Sequence, residues 1–111
     1  METYIARSDR EIVGFLTLKP HNDRSTEVQV MAIPRRYHRM GVGATLLLHA
    51  ETELRRWGVE PLHVKTLGPS RPDKSYEKTR RFYEAMGFVS IEETTAIWGP
   101  SNPCLMMVKQ L

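Results

Sequence analysis

At 111 residues, with 41% hydrophobic and 26% charged side chains, the chain has the length and composition of one small globular domain. The net charge of +3 is too small to predict a nucleic-acid-binding protein, and no apolar stretch approaches the roughly 18 residues of a membrane span. The single cysteine, Cys104, excludes an internal disulfide, and no Cys/His group has zinc spacing, so we expect no metal site. The N-terminus lacks a signal-peptide core, which predicts a cytoplasmic protein.

The first part of the chain predicts three strands. A weak strand, Thr3–Ala6, and a firmer one, Ile12–Leu18, flank turn-forming residues at 8–10, which indicates a hairpin. The segment Glu27–Ile33, EVQVMAI, is nearly all apolar, as is typical of a central strand that is covered on both faces. Pro34 cannot donate a hydrogen bond to a sheet, so the third strand ends before it.

A basic turn with two glycines follows the third strand. Gly41 and Gly43 lack a Cβ, so the backbone there can bend sharply and approach a ligand closely. The helix that follows directs its unpaired N–H groups and the positive end of its dipole into the same space. The turn also carries a cluster of basic side chains, namely Arg35, Arg36, His38 and Arg39. A solvated loop is the alternative for such a cluster, but the two glycines favour a phosphate-binding site.

The helix after the glycines has an apolar side and a polar side. Its apolar residues recur at intervals of three and four, namely Leu47, Ala50, Leu54 and Trp57. We expect its charged residues to face water, namely Glu51, Glu53, Arg55 and Arg56. Gly58 is a natural helix stop, and Leu62–Leu67 predicts a fourth strand after it. The order strand, helix, strand favours a crossover between two parallel strands.

The last part of the chain predicts a second helix and two more strands. Ser75 can cap a helix that ends at Gly87. The helix has a stripe of larger residues at helical spacing, namely Tyr76, Thr79, Tyr83 and Met86. Phe88–Glu92 and Cys104–Lys109 are the last strands, and residues 98–103 form an irregular connection between them.

Two segments resemble the GNAT superfamily of acetyl-CoA-dependent N-acetyltransferases. Residues 38–43, HRMGVG, resemble the family's phosphate loop, Arg/Gln-x-x-Gly-x-Gly/Ala, with His38 in place of the usual first residue. Residues 76–88, YEKTRRFYEAMGF, resemble a helix motif of the family. Phe82, Tyr83, Gly87 and Phe88 match that motif, whereas Tyr76 and Thr79 replace the usual Asn and Ala. Each motif alone is weak, but both occur in the expected order and structural setting.

The resemblance implies a single GNAT-like domain over residues 1–111. The implied fold is a mixed α/β (α+β) fold: a mostly antiparallel, twisted sheet with a splayed central parallel strand pair and two main helices. The strand and two helices that usually begin the family and form one wall of the acceptor pocket have no counterpart here. The chain is therefore a shortened member, a homodimer whose partner supplies the wall, or a piece of a longer chain.

The resemblance also implies acetyl-CoA as co-substrate and assigns residues to it. The pantetheine arm pairs with the end of the third strand, an oxyanion donor comes from a backbone N–H near Ile33, and the pyrophosphate lies on the glycine turn. The implied cofactor-binding residues are Met31, Ala32, Ile33, His38, Arg39, Met40, Gly41, Val42, Gly43, Ala44 and Tyr76.

Two residues are implied to act in catalysis. Tyr83 occupies the position of the family's general acid, although a buried tyrosine that only packs on the sheet is the alternative. Glu27 resembles the strand glutamate that acts as general base in histone-type members, or it is an ordinary strand-end carboxylate. Under the two-residue period of a strand, Glu27, Gln29 and Met31 would share one face. Trp98 and Asn102 lie in a connection that often borders the acceptor site in the family.

Three functions follow from these patterns. The first is direct transfer of an acetyl group to a primary amine of a small molecule or peptide. The second is a non-catalytic acyl-CoA-binding module, which the missing front wall motivates. The third is a small polyanion-binding domain that uses Arg35, Arg36 and Arg39. A nucleotide-binding P-loop and a dinucleotide fold both fit the glycine turn less well, because the residues that follow it differ from their motifs.

Overall fold

The computed structural model describes residues 2–38 and 40–111, and Arg39 of the predicted phosphate loop lies outside them. The chain divides into two compact units. The N-terminal unit is Met1–Leu62 with Leu111, and the C-terminal unit is His63–Gln110. Among the described residues, no helix is both long enough and apolar enough to cross a membrane. That the chain is a single domain stays a prediction.

The N-terminal unit contains three antiparallel strands and a helix. The strands are β1 (Glu2–Ser8), β2 (Glu11–Pro20) and β3 (Thr26–Ala32), and β2 pairs with both of the others. Asp9, with φ of 54°, forms the turn of the predicted β1–β2 hairpin. A short 3₁₀ turn (Arg35–Tyr37) leads to the helix α1 (Val42–Arg56). The predicted strands and helix are therefore all present in this unit.

The core of the N-terminal unit lies between the meander and α1. One face of β2 is buried, and α1 contacts both β1 and β2. The buried apolar side chains include Leu16, Leu18 and Val28 from the strands and Leu46, Leu47, Ala50 and Leu54 from the helix. Burial of several leucines against a sheet gives a short helix most of its stability, at about 1.5–3 kcal/mol for each buried side chain.

Two residues of α1 differ from the prediction. Glu51 was expected to face water, but its side chain is completely buried, and Arg55 approaches it at 3.5 Å. Trp57 was expected on the apolar side, but it is 51% exposed and forms the C-cap of the helix. Gly58 ends the helix with φ of 79°, as predicted.

The second face of the meander is apolar and exposed. Ile5 of β1 is opposite Phe15 of β2, and β2 also carries the exposed Ile12. Val30 of β3 is 46% exposed, so the expectation that the third strand is covered on both faces is wrong at this residue. Large exposed apolar side chains are common singly, but here they occur on adjacent strands.

The C-terminal unit contains the strands β4 (Pro61–Leu67), β5 (Val89–Thr94) and β6 (Cys104–Gln110) and the helix α2 (Lys74–Ala85). β4 begins two residues before the unit. β5 and β6 are antiparallel, and β6 is the neighbour of β4. The core of the unit consists of Val64, Leu67, Tyr83, Phe88, Cys104, Leu105 and Met107. Cys104 is buried.

The start of α2 differs from the prediction by two residues. Asp73, and not Ser75, is the N-cap, because the Asp73 carboxylate accepts a hydrogen bond of 3.1 Å from the Tyr76 N–H. The helix ends before Gly87, which has φ of 99°. The Arg80 guanidinium donates to the Leu67 carbonyl at 2.7 Å and so ties α2 to the end of β4.

Candidate active site

The turn before α1 has the backbone geometry of an anion site. Gly41 is the N-cap of α1 in the left-handed conformation (φ 79°, ψ 7°), and a Cβ there would meet nothing within 4 Å. Glycine is therefore required by the backbone angle and not by crowding. No side chain caps the helix start, and the first turn has no acidic residue. Its N–H groups and positive dipole end are thus left for an anion such as a phosphate.

The basic cluster of the turn is only partly available to a ligand. Glu11, at the start of β2, accepts hydrogen bonds from the Arg36 guanidinium and from the Tyr37 hydroxyl. The hydrogen bond to Glu11 raises the pKa of the Tyr37 hydroxyl. Arg36 also lies 5.1 Å from the centre of the Tyr37 ring. Arg35 is exposed, and its side chain makes no hydrogen bond or ion pair with a described residue. No local pattern marked Glu11 as part of this site, since it lies 25 residues before Arg36.

His38 differs from the first residue of the family motif, and its side chain contacts the end of the third strand. Its Nε2 lies 2.7 Å from the Ile33 carbonyl oxygen and must carry the hydrogen, because a carbonyl can only accept. The His38 backbone N–H donates to the Arg35 carbonyl at 3.0 Å. His38 therefore fastens the glycine turn to the end of the third strand.

The end of β3 pairs with β2 at two of the predicted pantetheine positions. Met31 is opposite Leu16, and Ala32 is opposite Phe15, whereas Ile33 follows the strand. Of the other predicted residues, Met40 is exposed, Val42 and Ala44 are partly exposed, and Gly43 is buried.

Gly14, in the middle of β2, was not among the predicted site residues. A Cβ at Gly14 would lie 3.0 Å from side-chain carbons of Ile33 and Val42, so this glycine allows both to pack against the strand. The signal was present, since an isolated glycine inside a strand pattern often marks a close approach of other atoms.

Glu27 lies at the start of β3 and is buried. Its carboxylate accepts a hydrogen bond of 2.8 Å from His21 Nε2, a partner that the sequence did not reveal. The pairing of β2 with β3 shifts between Val28 and Val30, so Gln29 is an extra residue in the ladder. Glu27 and Val28 are both buried, and Gln29 is exposed. The expected common face of Glu27, Gln29 and Met31 is therefore interrupted by this bulge.

Tyr83 lies in α2 with its ring in the core. The side chain is 4% exposed, and its ring meets those of Phe82 and Phe88 edge to face at 5.3 Å. Burial raises the pKa of Tyr83 to about 12, so the hydroxyl is protonated at neutral pH. The hydroxyl makes no hydrogen bond with a described residue. This is the state that a proton donor needs before its acceptor binds.

The other predicted side chains lie on the surface of the C-terminal unit. Tyr76 is exposed in the first turn of α2, where its backbone N–H donates to the capping carboxylate of Asp73. Trp98 is also exposed. Asn102 accepts a hydrogen bond from Arg71, a residue that the sequence analysis did not single out.

Comparison with known families identifies the relationship. The family model described as acetyltransferase (GNAT) domain matches residues 1–90 of this chain. The chain belongs to the GNAT acetyltransferase family. The resemblance seen in the two sequence motifs is thus confirmed, and membership of this family supports acetyl transfer as the reaction class. No curated protein matches the sequence.

Solved structures of GNAT proteins share the fold. A GNAT-family protein from Desulfovibrio desulfuricans aligns with TM-score 0.85 and 22% identity over 97% of this chain and 68% of its own. A GNAT acetyltransferase from Elizabethkingia anophelis with acetyl-CoA bound aligns with TM-score 0.82 and 19% identity over 98% and 75%. The ribosomal-protein-S18-alanine N-acetyltransferase of Escherichia coli aligns with TM-score 0.81 and 19% identity over 98% and 68%.

These similarities confirm the predicted fold class. It is the mixed, mostly antiparallel GNAT fold with one parallel strand pair and two main helices. The splay of the parallel pair stays a prediction. The relatives are longer, since this chain spans between 61% and 77% of the lengths of the aligned proteins. The structure with acetyl-CoA bound is consistent with the co-substrate that the motifs imply.

Proposed function

We propose that the chain is an acetyl-CoA-dependent N-acetyltransferase that transfers the acetyl group directly to a primary amine. The observation that carries the proposal is the uncapped start of α1 behind the left-handed Gly41. Such a turn suits the pyrophosphate of a coenzyme A thioester, and the family supplies the reaction class. The E. coli relative is by its name an N-acetyltransferase, which favours an amine as acceptor here.

The cofactor-binding roles follow the two motifs. The backbone of residues 40–44 would hold the pyrophosphate, His38 would keep the turn against the strand end, and residues 31–33 would align the pantetheine arm. Tyr76 and Arg39 complete the proposed set. Bound acetyl-CoA supplies the acyl group as a thioester. The residues present fit this ligand, because no carboxylate lies in the first turn of α1 to repel phosphate.

Tyr83 is the proposed general acid. Its hydroxyl holds a proton at neutral pH and has no described hydrogen-bond partner, so it can protonate a leaving thiolate. Transfer from a phenol of pKa about 12 to a thiol near 8.5 is uphill by about 5 kcal/mol. A turnover of 10 per second corresponds to a barrier of about 16 kcal/mol, so the cost fits within an ordinary enzymatic rate.

Glu27 is the proposed general base, acting through water. An alkyl ammonium has a pKa of about 10.4 and a glutamate carboxyl a pKa of about 4.3, so proton transfer between them is uphill by about 8 kcal/mol. The surroundings of the site must therefore raise the basicity of Glu27 or lower that of the amine.

Release of the CoA thiol with a panel of primary amines tests the proposal. Tyr83→Phe and Glu27→Gln should each lower kcat by 10²-fold or more while acetyl-CoA binding is retained. Tyr4→Phe is the matched control, because Tyr4 lies on β1 and is assigned no role in the reaction. Binding of acetyl-CoA without thiol release from any amine would overturn the enzymatic function.

That outcome would instead support a non-catalytic acyl-CoA-binding module. The uncapped start of α1 supports this second function equally, because it would bind the pyrophosphate with or without turnover. The module predicts thermal stabilisation by CoA with no turnover. A polyanion-binding role is weaker, because Glu11 binds Arg36 of the basic cluster. A homodimer, which sedimentation measures, and a cytoplasmic location stay predictions.

A further inference from the structure

The C-terminal unit has an open cleft of about 620 Å³ that the roles above do not use. It lies between the loop that joins β4 to α2 and the connection that joins β5 to β6. Its lining combines polar and apolar surface in similar amounts, and its polar side chains include Ser70, Arg71, Glu93, Thr94 and Ser101. The volume lies within the range of small-molecule sites in proteins.

Hydrogen bonds hold the two walls of the cleft together. The Gly68 N–H donates to the Pro103 carbonyl at 2.8 Å. Arg71 Nη1 donates to the Asn102 side-chain oxygen and approaches the Ser101 carbonyl at 3.5 Å. Since the walls are already fastened to each other, a ligand would meet a largely preformed site.

Glu93 is built into one wall as a carboxylate. The Ser70 hydroxyl and the Ser70 N–H, at 3.0 Å, donate to its two oxygens, and these bonds lower the pKa of Glu93. A Cβ at Gly68 would lie 1.9 Å from Glu93 Oε2, so only glycine at this position leaves room for the carboxylate. The cleft therefore presents a fixed negative charge.

Arg71 presents the opposite charge in the same cleft. Of its guanidinium nitrogens, only Nη1 makes hydrogen bonds with described residues, so the Nη2 and Nε hydrogens remain for a ligand. A guanidinium edge of this kind suits a carboxylate. Glu93 disfavours a polyphosphate in the cleft, and Arg71 disfavours a polyamine, so the pair of charges fits a zwitterion.

We propose that this cleft receives the acceptor and selects a small amine that also carries a carboxylate, such as an amino acid. Arg71 binds the carboxylate, and Glu93 accepts hydrogen bonds from an ammonium group of the same molecule. The role of this ligand as the acceptor rests on the proposed function, but its binding to the cleft does not depend on turnover. Both residues determine specificity and take no part in the proton transfers.

L-Lysine and cadaverine test the inference, because cadaverine is lysine without its carboxylate. Binding of each to the CoA-loaded protein is followed by NMR shifts, and turnover is followed separately by thiol release. Lysine should bind at least about tenfold more tightly than cadaverine. Arg71→Ala should remove that difference, and Arg71→Lys should keep part of it. Arg81→Ala is the matched control, because Arg81 is an exposed arginine of α2 that pairs with Glu77 and does not line the cleft.

Glu93→Gln is a second, isosteric variant that keeps the shape of the wall, and it should weaken both ligands. Equal binding of lysine and cadaverine, or a lysine affinity that Arg71→Ala leaves unchanged, would overturn the inference. Turnover of both amines without dependence on Arg71 would do so as well, and the proposed function would survive. Arg71-dependent lysine binding without any thiol release would support the ligand class of the cleft and overturn the proposed function.

Discussion

Replacement of Tyr83 by Phe should make the protein less sensitive to alkaline pH. The ring would still pack against Phe82 and Phe88, and the hydroxyl loses no hydrogen bond to a described residue. Near neutral pH the free energy of unfolding should therefore change by less than about 1 kcal/mol. The difference between the two proteins should appear only when tyrosine ionises.

The magnitude follows from the raised pKa. In the unfolded chain Tyr83 ionises near pH 10, and in the folded protein near 12, because burial disfavours the phenolate. As the pH rises, the unfolded chain loses its proton first, so the folded state loses stability between pH 10 and 12. The two-unit difference corresponds to a total loss of about 3 kcal/mol, of which about 1.4 kcal/mol is lost by pH 11.

Urea unfolding of the wild-type and Tyr83→Phe proteins at pH 8 and pH 11 measures this difference. The wild type should lose about 1.4 kcal/mol more than the variant over that interval. Tyr76→Phe is the control, since Tyr76 is an exposed tyrosine of the same helix. An equal loss in wild type and Tyr83→Phe would refute burial as the cause of the raised pKa.

Four further substitutions test the local geometry. Asp73→Ala should lower the free energy of unfolding by about 1 kcal/mol, and Ser75→Ala should leave it unchanged, because Asp73 caps α2; urea unfolding of both measures this. Gly41→Ala should cost about 1–2 kcal/mol in the same assay, since the surrounding space is open and only the backbone angle resists a side chain. Glu11→Gln should release Arg36 for the phosphates and increase the thermal stabilisation that CoA gives; an unchanged stabilisation would show that Glu11 does not limit the basic cluster.

The positions of strands and helices could be predicted because each depends on the local spacing of apolar residues and on the turn-forming or capping residues at its ends. Gly41 and Gly58 have the left-handed angles that glycine allows, and they bracket α1 as expected. The errors occurred where two local signals competed. Asp73 and Ser75 are both good caps, and only the contact of Asp73 with the Tyr76 N–H decides between them.

Glu51 shows where polarity misled the prediction. It is four residues after Leu47 and three before Leu54, so helical spacing places it on the buried side of α1. Its charge led to the prediction that its side chain faces water, but its position in the helix determined its burial.

The contacts that shape the candidate site could not be read from the sequence, because they join distant residues. Glu11 binds Arg36 across 25 positions, and Ser70 binds Glu93 across 23. No local pattern marks either pair. The sharp turn at Gly41 could be predicted, whereas the carboxylates that hold or restrict the basic residues required the fold.

The complete burial of Cys104 has a practical consequence for spectroscopy. A thiol with no exposed surface reacts slowly with maleimides and other alkylating reagents, so the natural sequence serves as a nearly unreactive background. A single cysteine introduced at the exposed Ser101 could then carry a fluorophore or spin label without removal of the native residue. Ligand entry into the C-terminal cleft would be observed directly from its rim.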